Sequence, residues 1–255
     1  MKPNVKLSHL VVNGCSFTYC QGLENPAEQG WPALLADKLK VPVVNLAIPG
    51  SGNDAIFRRT YEYFYLNKKH NNFPLFINVW SFSGRREEFF SEYKGSQVND
   101  FVVLDFQGQN PIEKEVVYNL LTSKGMISAE RKKLLYWAAC IELFKNNKMP
   151  YLMSDTFPIE PNYLKELEEE FPDQVKQVYD DKNKVTNIST LAGKEPHLPC
   201  GHYGESANQV IAKYFYDLLI DRYNMYITRV DKFTDLNEYR TNTVGMHLQN
   251  VWRKK

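Results

Sequence analysis

The 255-residue chain lacks an excess of either charge: 31 Lys and Arg stand against 30 Asp and Glu, for a formal net charge of +1. That balance speaks against nucleic acid or an anionic membrane as a partner, since both call for a basic surface. Long apolar runs are missing as well. No stretch reaches the roughly 18 apolar residues of a membrane-spanning helix. The opening "MKPNVKLSHLVVNG" enters a strand with no apolar leader core ahead of it. Cysteine is sparse, with Cys15, Cys20, Cys140 and Cys200 scattered along the chain. This reads as reduced thiols in a cytoplasmic protein, not as a disulfide framework. "HLPCGH" puts His197, Cys200 and His202 close together, but their spacing fits no common zinc pattern, and neither a metal nor another cofactor is expected. Glycine is scarce too, 13 in all, so places where glycines meet small polar residues stand out.

What is present suits a globular enzyme-sized unit. Hydrophobic residues make up 43% of the chain and charged residues 24%, enough apolar material for a core. Aromatics reach 14%, with 16 Tyr, a composition found on surfaces that handle sugars or peptides. "LSHLVVNG" (7–14), "VPVVNLAI" (41–48), "PLFINVWS" (74–81) and "MPYLMSDTF" (149–157) read as buried strands. Between and after them, residues 31–40, 54–69, 129–147, 162–171 and 204–223 carry helical spacing. A β-α-β-α-β order with short connections implies right-handed crossovers and a parallel sheet covered on both faces, a three-layer α/β/α sandwich of flavodoxin-like type. Residues 84–128 break the rhythm and read as an irregular, aromatic insertion over the sheet edge. Residues 224–255 read as a polar C-terminal extension that docks on the body or on a protein partner, leaving 1–223 as one domain.

Ligands of open parallel sheets bind beyond the carboxyl ends of the strands. Polar clusters fall there after three strands: "NGCSFT", "PGSGND" and "WSFSGRRE"; a fourth, "HLPCGHYGESAN", precedes the last helix. A serine hydroxyl at such a turn becomes a nucleophile when a base takes its proton. Ser16 is the serine so placed, with helix capping as its structural alternative. Cys15 precedes it and is expected to point into the sheet. Arg85 and Arg86, after the third strand, are positioned to bind a substrate carboxylate or phosphate, or to form part of a solvated "RREE" face.

These blocks resemble those of the SGNH (GDSL-like) hydrolases. "GCSFTYC" is similar to their first block, with Cys15 in place of Asp; "NLAIPGSGND" to their second, with Asn45 five residues before Gly50; and "HYGESANQVIA" to their last, which selects His202 ahead of Ile211-Ala212. The resemblance implies a serine esterase with Ser16 as nucleophile, His202 as base, and an oxyanion hole that includes the N–H groups of Ser16 and Gly50. It implies a small-molecule or carbohydrate ester as substrate, with removal of an O-acyl or O-acetyl group. Two matches are missing. The third block's Asn falls on Phe82, leaving Ser81, Ser83 or Asn53 to donate instead. The Asp three residues before the histidine is Pro199, leaving Glu195, Asp155 or a backbone carbonyl to orient His202. The same features admit a binding protein that has lost catalysis, and an acyltransferase using the same serine.

Overall fold

The structure, a computed structural model, describes residues 7–67, 73–93, 96–104, 123–223 and 251–252. Four parallel strands form its centre: β1 (His9–Asn13), β2 (Val43–Asn45), β3 (Pro74–Trp80) and β6 (Tyr151–Asp155). Their order is β6-β3-β1-β2, and β7 (Val251–Trp252) extends the sheet antiparallel to β2. Beyond β6 the next position is held by a single bridge, Met153 to Lys184. The chain steps from β1 to β2 on one side and then back to β3 on the other. The turns after β1 and β3 therefore face each other at a topological switch point.

Every residue of β1, β2, β3 and β6 is buried, as expected of parallel strands covered on both faces. Successive side chains take opposite faces. Leu10 and Val12 join Leu75, Ile77, Val79 and Leu152 on one side; Val11 joins Val44, Phe76, Trp80 and Met153 on the other. The first face is covered by α3 (Trp31–Leu39), α8 (Ile188–Ala192) and α9 (Glu205–Tyr223), and the second by α4 (Asn53–Asn67), α5 (Ser123–Asn146), α6 (Pro161–Glu170) and α7 (Pro172–Tyr179). The result is the expected three-layer α/β/α sandwich. Trp137, Ile141 and Phe144 recur at helical spacing on α5 and are all but fully buried, each contributing about 1.5–3 kcal/mol by leaving water.

Two short helices, α1 (Ser16–Tyr19) and α2 (Pro26–Gln29), lie in the connection after β1. Several bounds differ from the sequence reading. The segment read as an irregular insertion contains an antiparallel hairpin, β4 (Arg86–Tyr93) with β5 (Ser96–Leu104), and α5 starts earlier than the periodicity suggests. β-Propensity in "REEFF" and "DFVVL" was masked by charge alternating with aromatics. α9 runs to Tyr223, and Val251–Trp252, the described part of the segment read as an extension, pairs with the sheet edge.

Candidate active site

The first turn of the site is set by Gly14. Its N–H donates to Asn13 Oδ1, and the chain then bends directly into α1. A Cβ at position 14 would lie 2.2 Å from Thr18 Oγ1 and 3.0 Å from the Val79 carbonyl oxygen, so only glycine fits between the start of α1 and β3. Gly14→Ala is expected to lose about 1–3 kcal/mol of stability, the usual cost of overpacking. Thermal melts check it, and an unchanged midpoint would show that the turn can shift. Trimming Thr18 to Ala should restore only part of the loss, because the Thr18 Cβ, 2.7 Å away, and the Val79 carbonyl both remain.

Ser16 is the first helical residue of α1. Cys15 holds the cap position and makes no capping bond through its side chain. Capping therefore does not account for Ser16, which is 4% exposed and whose hydroxyl hydrogen-bonds to nothing among the described residues. Its backbone N–H, like that of Gly50, has no hydrogen-bond partner among the described residues. Gly50 sits at φ +84°, a left-handed conformation that glycine adopts freely, with open space where a side chain would start. Cys15 is turned inward, as expected, with its Sγ 3.6 Å from Thr156 Oγ1.

His202 arrives from the far end of the chain on a tight return. The Leu198 N–H donates to the His202 carbonyl at 2.7 Å, the Gly201 N–H donates to the Leu198 carbonyl, and His197 bridges Tyr203. Asn208, in the first turns of α9, ties this return to the Ser16 turn. Its Oδ1 accepts from the Trp31 N–H at 2.9 Å and from Cys20 Sγ at 3.2 Å, while its Nδ2 donates to the carbonyls of Tyr203 and Gly204. The His202 ring packs on Phe17, the neighbour of Ser16, with centroids 4.9 Å apart. His202 Nδ1 is buried without a partner, and no hydrogen bond joins the ring to Ser16 among the described residues. Desolvation holds the imidazole below its ordinary pKa. The nearby Cys200 carbonyl opposes that shift, and the charges of Arg85 and His197 add to it.

Neither carboxylate considered as an orienter of His202 does that job. Asp155, at the end of β6, pairs with Lys133 at 3.2 Å, and Glu195 makes no hydrogen bond to His202 Nδ1. Of the three side chains considered as a third oxyanion donor, Asn53 is already engaged: its Oδ1 accepts from the Ser81 N–H at 2.7 Å and its Nδ2 donates to the Ser81 carbonyl at 3.1 Å. It thereby clamps the loops after β2 and β3 together. Ser81 and Ser83 are buried, and both hydroxyls lack a partner among the described residues. Arg85 is partly buried and close enough for its charge to act on His202. Arg86 opens β4, and its side chain lies outside the described residues.

Sequence reasoning missed one part of this region. An open cleft of about 710 Å³ lies beside the Ser16 turn and is lined in part by Ser81, Ser83, Glu130, Lys133, Phe157 and Tyr163. Phe157, one of its lining residues, packs edge-on against Phe17 at 5.3 Å, and Phe17 in turn carries the His202 ring. On α5, Lys133 pairs with Glu130 at 2.8 Å, all three ionic groups being nearly sealed from solvent. Burial opposes the Lys133 charge, but its two carboxylate partners outweigh it and raise the pKa; burial raises that of Asp155. The available signal was spacing: Glu130 and Lys133 fall on the same face as the buried Leu134 and Trp137.

Among the described residues no group of His, Cys, Asp and Glu could hold a metal ion, and no helix is long and apolar enough to cross a membrane. All four cysteines are free thiols.

No protein-family profile matches the sequence, and no curated protein does. Solved structures similar in fold include the psychrotrophic esterase EstA from Pseudoalteromonas sp., inhibited by monoethylphosphonate, at 16% identity over 85% of this chain and 99% of that one, with a TM-score of 0.49. A protein from Desulfitobacterium hafniense DCB-2 assigned as lipolytic, of the G-D-S-L family, shares 15% identity over 83% of this chain and 99% of its own (TM-score 0.47). The acetyl xylan esterase Est2A from the rumen bacterium Butyrivibrio proteoclasticus shares 14% over 87% and 66%, at a TM-score of 0.45.

Proposed function

We propose that this protein is a divergent SGNH-type ester hydrolase that removes an O-acyl group, such as O-acetyl, from a sugar or similar small molecule. The observation that carries the reading is the meeting of two distant segments: the His202 ring lies on Phe17, next to Ser16, at the carboxyl edge of a parallel sheet. Ser16 Oγ attacks the ester carbonyl as His202 takes its proton; His202 then protonates the departing alcohol, and water repeats the sequence on the acyl-enzyme. The unengaged N–H groups of Ser16 and Gly50 are the donors for the oxyanion. Arg85 borders the site as a cation for a substrate's acidic group.

The base works only when neutral, and desolvation lowers its pKa from the ordinary 6.5. A lowered value means the ring deprotonates earlier as pH rises. kcat/KM is therefore expected to climb with pH through an inflection below 6.5 and to stay flat across neutrality. An inflection above neutrality would reject His202 as a desolvated base.

A second reading, a binding protein without turnover, is favoured by one feature: among the described residues no carboxylate reaches His202 Nδ1 to orient the ring, and only the Cys200 backbone acts on it as a hydrogen-bond partner. A fluorophosphonate probe separates the two. Stoichiometric labelling of Ser16 supports the hydrolase, and its absence alongside retained ligand binding supports the binder.

A further inference from the structure

We propose that the cleft beside Ser16 is a subsite for a neutral, polyhydroxylated group, with Ser81, Ser83, Glu130 and Lys133 as its hydrogen-bonding set and Phe157 and Tyr163 as its apolar walls. This rests on the ester-hydrolase reading for the origin of that group, the alcohol part of the substrate. The argument starts from two buried hydroxyls. Ser81 and Ser83 are 3% and 6% exposed and line the cleft, and their hydroxyls have no partner among the described residues. A buried polar group left unpaired is costly, and such groups in native proteins call for an explanation. A ligand that completes them supplies one.

The charged groups narrow the class of ligand. Lys133 has three N–H donors and two carboxylate partners, so one donor remains. Glu130 and Asp155 offer more acceptor positions than one ammonium can fill. An anionic ligand would face the carboxylates of Glu130 and Glu160, both of which line the cleft, and a cationic one would face the Lys133 ammonium. Hydroxyl groups both donate and accept, so they complete the serines, the carboxylates and the ammonium together. Flat apolar walls beside such a set suit the C–H faces of a pyranose ring.

The test uses the full-length Ser16→Ala protein, which cannot turn over, titrated with methyl β-D-glucopyranoside by calorimetry, with sodium glucuronate and glucosamine as charged controls. Saturable binding of the glucoside is expected, with both controls weaker. Ser81→Ala and Ser83→Ala are each expected to weaken binding by about tenfold, the loss of one hydrogen bond. Neither should lower the melting temperature, because each removes an unpaired hydroxyl. That separates lost binding from lost folding. Absence of saturable glucoside binding, tighter binding of either control, or an affinity indifferent to both serine substitutions would overturn the proposal. Hydrolysis of p-nitrophenyl acetate by the wild-type protein without sugar binding would sink this subsite alone; sugar binding without any hydrolysis would sink the esterase reading alone.

Discussion

Ser16→Ala is expected to cut turnover of p-nitrophenyl acetate by about a thousandfold or more, as loss of a serine nucleophile does elsewhere. Folding should not suffer. The hydroxyl makes no hydrogen bond among the described residues and caps no helix, so its removal should shift stability by no more than about 0.5 kcal/mol. The two readouts together make the test sharp: kcat collapses while the melting temperature holds. Cys15 provides an internal control, because its Sγ faces Thr156 under the sheet edge, and Cys15→Ser should keep most of the activity. Turnover unchanged in Ser16→Ala would remove the nucleophile and with it the mechanism. His202→Gln should produce a loss of similar order, since the serine is a poor nucleophile without a base, and the double variant should be little worse than either single one.

The sheet was legible because its physics is local. Four apolar, β-branched runs separated by helical spacing leave little choice beyond a parallel sheet covered on both faces, and all four strands stand where those runs lie. The approach of His202 to Phe17, the neighbour of Ser16, was legible only through motif spacing, since no local rule joins residues so far apart in sequence. What the motif could not supply was the use of its substitutes. Asn53 reads as a free amide until the Ser81 backbone is seen to occupy both its ends. The hairpin of β4 and β5 was hidden because its strands carry charges where a buried strand carries aliphatics. The cleft was hidden for another reason. Its ionic groups come from α5 and the end of β6, and a Lys on an amphipathic helix is read as solvent-facing unless the helix phase is followed residue by residue.

Lys133→Met should be the most damaging single substitution for stability, at about 3–5 kcal/mol, the range for removing one partner from a buried ion pair. The side chain volumes are similar, so packing is not the cause. What remains are Glu130 and Asp155, both shielded from water and without the ammonium that lies 2.8 Å and 3.2 Å from them. The pH dependence identifies the cause. Burial already raises the Asp155 pKa above its unfolded value, and loss of Lys133 must raise it further. A group that binds its proton more tightly when folded makes stability fall as pH rises through the window between the unfolded and folded values. The deficit of Lys133→Met relative to wild type should therefore be largest at neutral pH and shrink as pH is lowered toward the ordinary carboxylate range. Denaturant melts at several pH values read this directly. Adding Asp155→Asn to Lys133→Met should recover part of the loss at neutral pH by deleting one uncompensated charge. A deficit independent of pH, or no gain in the double variant, would mean that the three groups do not share their charges as their geometry requires, and that Lys133 contributes to the core chiefly through its methylenes.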